Sequence, residues 1–259
     1  MDNQISRQFG SLARLYGQSG FMAIQAAHVC IAGIGGVGSW VAESFARSGV
    51  GTISLIDMDH VSESNINRQV HASIENIGQS KVVAMYERIL KINPICKVNL
   101  IDDFVSTENW PKILPFGVDA LVDATDQTIA KTAMASWAMS SSNIFISVGA
   151  AGGKKLAHLV EIADLSEVTH DPLLAQLRGN IRKFHGGPRD KRLMKITCVF
   201  SRESVVMPNG DCDLDGSLNC HGYGSVAAVT STFGQCAAGW VLNEISKRRI
   251  ENNKNQAII

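Results

Sequence analysis

The chain lacks paired cysteines. Its six, at 30, 96, 198, 212, 220 and 236, include no C-x-x-C pair, which excludes a zinc ribbon on spacing. Their scatter along 259 residues points to reduced thiols and not to a disulfide framework. Net charge is also missing: 24 basic residues balance 24 acidic ones, so only local clustering can signal a polyanionic partner. There is no internal repeat and no low-complexity tract, which excludes a solenoid or a disordered tail. The opening "MDNQISRQFG" has no apolar run of the kind a secretory signal needs, and a cytoplasmic protein is expected. Residues 216 to 243 carry no Lys, Arg, Asp or Glu, yet Ser225, Thr230, Ser231, Thr232, Gly234 and Gln235 interrupt them. That stretch reads as a buried helix and not as a membrane span.

What remains is a chain that is 45% hydrophobic and 19% charged, long enough for one large α/β domain. "HVCIAG" (28–33) is a β-branched run ending in glycine, after which Val37, Val41 and Phe45 recur at helical spacing up to a capping Gly49. "TISLID" (52–57), a helix over 80–93 stopped before Pro94, "KVNLI" (97–101), "DALVDATD" (119–126), a helix to about 141 and "IFISVGA" (144–150) continue the alternation. Strands alternating with helices predict a Rossmann-like, doubly wound, mostly parallel sheet, with ligands beyond the strand C-termini. After Gly153 the rhythm changes: strands at 158–164 and 195–201, a polar stretch at 205–222 and a helix over about 223–248 suggest a less regular, partly antiparallel second half. The expectation is a single domain over 1–259, with a nucleotide-binding half (1–153) and a substrate half (154–259).

"IAGIGGVGSW" carries glycines at 33, 35, 36 and 38. A glycine turn lets backbone approach phosphate, and the following helix N-terminus favours negative charge. Asp57, ending the next strand, stands where an acid takes a ribose hydroxyl pair. These features suit NAD and ATP equally. The next residues separate the two: a triphosphate needs several cations, whereas a nicotinamide needs a hydrophobic slot. Asn65, Arg68 and Lys81 supply a cationic, hydrogen-bonding set, and Asp126 can hold Mg²⁺ together with phosphates. Cys212, Cys220 and His221 form a conceivable metal group, although their irregular spacing favours loop residues, and Cys198 reads as packed core. One polyanion footprint stands out. Arg178, Arg182, Lys183, Arg189, Lys191, Arg192 and Lys195 surround a single acid, Asp190, and Gly186, Gly187 and Pro188 suggest a mobile loop there.

"GIGGVG", "LIDMD", "SNINRQ", "GQSK" and "DATD" resemble the adenylating family of ubiquitin-activating enzymes and the bacterial sulfur-carrier activators MoeB and ThiF. Within it, "ARLYG", "NRQVHA", "INPICKV", "DDFV", "DPL" and "CVFS" are most similar to the TcdA (CsdL) branch, the tRNA threonylcarbamoyladenosine dehydratases. The resemblance spans about Ser6 to Ile245. It implies ATP and Mg²⁺, with room for a monovalent cation, and an acyl-adenylate formed on the carboxylate of threonylcarbamoyladenosine in tRNA. It assigns the glycine turn, Asp57 and Asp59 to the nucleotide, Asn65, Arg68 and Lys81 to the triphosphate, Asp126 to the metal, and Arg14 to the partner subunit's site in a homodimer. Arg7 competes with Arg14 for that role. The basic segment 178–195 would then grip tRNA, with no DNA or membrane partner, and a CsdE-type sulfur acceptor fits the same branch. The rival within the family is adenylation of a carrier protein's C-terminal glycine.

Overall fold

The structure, a computed structural model, describes residues 2–190, 192–205 and 223–256. Seven strands form one sheet in the order β3-β2-β1-β4-β5-β7-β6. They are β1 (His28–Ala32), β2 (Thr52–Ile56), β3 (Lys97–Ile101), β4 (Ala120–Asp123), β5 (Ile144–Val148), β6 (Val160–Asp164) and β7 (Thr197–Ser201). Every neighbouring pair is parallel except β6 with β7. The alternation read from sequence therefore gives the doubly wound sheet it predicts, with the one antiparallel pair in the second half.

Central strands are apolar because both faces are covered. Along β1, Val29 and Ile31 enter one core with Val41 and Phe45 of α2 (Gly38–Arg47), while Cys30 and Ala32 enter the other with Met134 of α4 (Thr128–Ser140). Edge strand β3 is largely exposed, with only Val98 and Ile101 half-buried. Helix α3 (Lys81–Ile92) and the last helix, α6 (Ala227–Gln256), complete the first face. Phe233, Ala237 and Val241 of α6 are buried against that core. Gly49 closes α2 at φ +72, a left-handed position that glycine takes without strain.

One element went unread in the sequence, and a second differs from expectation. The N-terminal segment forms α1 (Asp2–Ala26), broken at Gly17 with φ +71 and ψ 163, and it packs on α6. Arg178 to Phe184, expected within a mobile loop, belong to α5 (Pro172–Phe184). Asp171 caps this helix by accepting the Leu174 N–H at 3.0 Å, and Leu173, Leu174, Leu177 and Ile181 bury one face. Gly186, Gly187 and Pro188 drew the loop reading, but the cap and the leucine spacing decide the fold before them. Smaller shifts occur at strand starts: a 3-10 turn (Ala157–Leu159) precedes β6, and Lys195 sits at φ +59 before β7. Lys191, Cys212, Cys220 and His221 lie outside the described residues, as does most of the polar stretch. Among the described residues no helix is long and apolar enough to cross a membrane.

Candidate nucleotide site

A cavity of about 790 Å³ opens at the C-terminal edge of the sheet, where open α/β sheets bind ligands. Gly33, Gly35 and Gly36 follow β1 into it; Asp57 and Asp59 follow β2; Asp103 and Phe104 follow β3; Thr125 and Asp126 follow β4; Gly149 to Gly152 follow β5. Asn65, Arg68, Gln69 and Lys81 close the side near the glycine turn.

The glycine turn is built for close approach. Gly33 has φ +87, and a Cβ there would stand 2.8 Å from the Ala124 carbonyl oxygen. Gly38 does not line the cavity: a Cβ on it would come within 1.8 Å of the Gly33 carbonyl oxygen, so its job is to let α2 pack on the turn. Asp57 accepts the Ile34 N–H at 2.6 Å on one oxygen and the Asp59 N–H at 2.9 Å on the other. Burial pushes its carboxyl up from the usual range, against the pull of Lys81 and these two N–H groups. A half-buried acid at the ribose position is thereby fixed in orientation.

The cations are placed with equal care. Lys81 donates to Asp59 at 2.6 Å, its own side chain 8% exposed and that of Asp59 66%. An arriving phosphate can therefore take Asp59's place while the lysine stays put. Asn65 lies in a 3-10 turn and accepts the Ser62 N–H at 3.2 Å. Arg68 donates to the Ser64 carbonyl and, at 3.0 Å, to Asn67 Oδ1. Its own carbonyl accepts Trp40 Nε1 at 3.0 Å and Thr230 Oγ1 at 3.1 Å, so α2 and α6 pin its backbone.

A layer beneath holds the strand ends. Lys131 and Asp123 are fully buried and paired at 3.0 Å. Lys131 also donates to the Val148 carbonyl at 2.7 Å, and Ser147 Oγ donates to Asp123 at 2.6 Å. The other Asp123 oxygen accepts Thr125 Oγ1 at 2.8 Å. This network ties the ends of β4 and β5, from which the Thr125–Asp126 and Gly149–Gly152 walls spring. Asp171 steadies the second wall, accepting the Ala150 N–H at 2.9 Å.

Sequence reasoning missed several residues. Gln69 lines the cavity with its Oε1 buried and unpartnered; it adjoins Arg68 in "SNINRQ", and position in that motif was the available signal. Asp103 and Phe104 belong to "DDFV", noted only as a likeness. Nothing in the sequence announces that Lys131 is buried. Conversely, Arg14 is exposed on α1 and lines no part of this cavity. The basic segment is not brought to the site either. Residues 185–190 and 192–196 precede β7 and so lie at the opposite edge of the sheet, one five-residue strand away, roughly 16 Å at about 3.3 Å per residue. Arg182 donates to the Pro188 carbonyl at 3.0 Å, and Arg192 pairs with Asp190 at 2.8 Å.

Among the described residues no group of three or more His, Cys, Asp or Glu could hold a metal. Asp126 alone can share one only with a ligand that brings its own oxygens. Chemically, the cavity offers glycine backbone, a fixed carboxylate and a cation wall, and no cysteine is among its described lining residues. The cysteine thiols at 30, 96 and 198 are buried, and burial raises each of them, the first two to about 12.

Comparison with known proteins agrees with this geometry. Residues 5–259 match the ThiF family. The chain is 40% identical to a tRNA threonylcarbamoyladenosine dehydratase of Haemophilus influenzae, over 96% of this chain and 97% of the relative. It superimposes on the crystal structure of Escherichia coli tRNA N6-threonylcarbamoyladenosine dehydratase, TcdA, in complex with ATP, with a TM-score of 0.87 and 36% identity over 95% of this chain and 96% of that one. The AMP complex of that enzyme superimposes with a TM-score of 0.87 and 37% identity, at the same coverage of both chains.

Proposed function

Because the chain belongs to the ThiF family, we propose that it is an ATP-dependent tRNA threonylcarbamoyladenosine dehydratase. The observation that carries this is the convergence of Asp57, Asn65, Arg68, Gln69, Lys81 and Asp126 on one cavity, in a chain that matches a dehydratase over 96% of its length. One similar enzyme holds ATP in one structure and AMP in another, the co-substrate of adenylation and the leaving group of ring closure.

The reaction has two steps. The carboxylate of the threonylcarbamoyl group attacks the α-phosphate of ATP and pyrophosphate leaves, giving an acyl-adenylate. A nitrogen of the modification then attacks that carbonyl, AMP leaves, and a ring closes with net loss of water. Neither step needs a protein nucleophile, so alignment and charge stabilisation supply the catalysis. Asp57 takes the ribose, and the glycine turn brings main-chain N–H groups to the phosphates. Arg68 and Lys81 offset the charge that grows as pyrophosphate departs, with Asn65 and Gln69 as polar partners. Asp126, at the end of β4, is the residue that would hold Mg²⁺ beside the phosphates, where the ion supplies further charge neutralisation.

Arg14 completes the site of a second copy in a homodimer, which accounts for its exposure on α1. The basic residues at the far edge of the sheet contact the body of the tRNA and not the reacting nucleotide. Work on tRNA places the protein in the cytoplasm, with a sulfur-acceptor partner as an accessory. Activation of a carrier protein's C-terminal glycine is less well supported, because the full-length relative is a dehydratase. Incubating purified protein, ATP and Mg²⁺ with modified tRNA or with a carrier protein separates the two. The dehydratase reading requires AMP release and a lighter nucleoside; carrier adenylation with unchanged tRNA would overturn it.

A further inference from the structure

The main cavity does not end at Pro172 and Val205. These two residues are shared with a second cavity of about 330 Å³, walled by residues 168–171, the first turns of α5 and Ser204. Sheet order gives its direction. The nucleotide residues follow β1, β2, β3 and β4, whereas Gly149–Gly152 follow β5 and Val205 follows β7, two strands toward the other edge. The second cavity thus prolongs the first away from the glycine turn, on the side left for the substrate.

We propose that this second cavity is a subsite for the nucleotide next to the modified adenosine, with Arg178 gripping its phosphodiester. The inference rests on the tRNA reading above. Arg178 lines the cavity, and one of its Nη atoms donates to the Leu165 carbonyl at 3.1 Å and the Val168 carbonyl at 2.8 Å. The guanidinium is thereby held in place while Nε and the other Nη make no hydrogen bond among the described residues. That pair of donors is the edge that binds a phosphate bidentately, and a fixed fork loses little freedom when it does so. Burial and the nearby Arg182 both disfavour its charge, a penalty that an anion relieves.

The other charges permit this. Asp171 is the one acid on the wall, 3% exposed, and each of its oxygens accepts a main-chain N–H, from Ala150 and Leu174. Buried Lys154 lies behind it, donating to the carbonyls of His170 at 3.4 Å and Glu203 at 2.7 Å. Of the described basic residues between 178 and 195, Arg178 alone lines either cavity. The volume falls at the small end of the roughly 300–1,000 Å³ typical of ligand sites, which suits one nucleotide unit.

The test fills the second cavity without touching Arg178. Ala175→Trp, on α5, and Ser204→Trp, just after β7, are at exposed positions that line it, so either tolerates a large side chain without cost to the core. Cyclisation is measured with the modified nucleoside and with the same nucleoside inside a trinucleotide. Both variants should raise KM for the trinucleotide about tenfold, the loss of one charge-assisted phosphate contact. Turnover number, KM for ATP and the rate on the free nucleoside should not change. If both variants handle the trinucleotide as the wild type does, the subsite is wrong while the dehydratase reading stands. If wild-type protein cyclises neither substrate nor intact tRNA, the dehydratase reading fails and the subsite with it.

Discussion

Mild acid should destabilise this fold through one residue directly behind the cation wall. His71 is 4% exposed and neither ring nitrogen has a hydrogen-bond partner. Burial first, then the charges of Lys81 and Arg88, push its pKa down from 6.5 to about 4. Above pH 6.5 the ring is neutral in both the folded and unfolded chain, and its contribution is intact. Below that, the unfolded chain takes up a proton that the folded one refuses, so stability falls as pH drops toward 4. At about 1.4 kcal/mol per pH unit the full effect is roughly 3 kcal/mol, of which about 2 kcal/mol is lost by pH 5. Urea unfolding at pH 7.5 and pH 5, for wild type and for His71→Leu, isolates this residue from all other titrating groups. The wild type should lose about 2 kcal/mol more than the variant over that interval. Equal losses would mean that the folded ring accepts a proton freely, and that its burial carries no electrostatic penalty.

Lys131→Met leaves Asp123 buried without its counter-charge, and should lower stability by about 3–5 kcal/mol in urea titrations; a loss under 1 kcal/mol would show the pair to be dispensable. Arg68→Ala and Asp126→Ala should each abolish AMP formation while leaving the circular dichroism spectrum unchanged, since losing one partner of a desolvated phosphate contact costs about 2–5 kcal/mol. Near-normal AMP release by either variant removes that residue from the mechanism. Mixing Arg14→Ala with Asp126→Ala subunits should restore part of the activity, because one of the two sites in a mixed dimer is then whole. No restoration in a mixture shown to exchange subunits would assign Arg14 to its own chain or to no site.

Much of this was legible in the sequence because strand and glycine signals are local. "KVNLI" is β3 residue for residue, and Gly33, Gly35 and Gly36 reach the cavity at the end of β1 as their spacing implies. What was illegible depends on tertiary position. Gly38 fits the nucleotide fingerprint, yet serves packing, because the Gly33 carbonyl lies where its side chain would go. The segment 178–195 reads as one basic loop, but Arg178 belongs to α5 and lines the second cavity, while Lys195 stands just before β7 at the far edge. In "DATD", Asp123 ends β4 and is buried against Lys131, a pairing the sequence does not announce, whereas Asp126 lies past the strand, exposed at the cavity.

The reaction turns on attack of the substrate carboxylate on the α-phosphate. Threonylcarbamoyladenosine-bearing tRNA with heavy oxygen in that carboxylate, incubated with the protein, ATP and Mg²⁺, tests it in a single mass measurement of the released nucleotide. AMP carrying one heavy oxygen is the predicted result, since the acyl-adenylate must surrender that atom when the ring closes. Unlabelled AMP, or ADP with the label in inorganic phosphate, would contradict it.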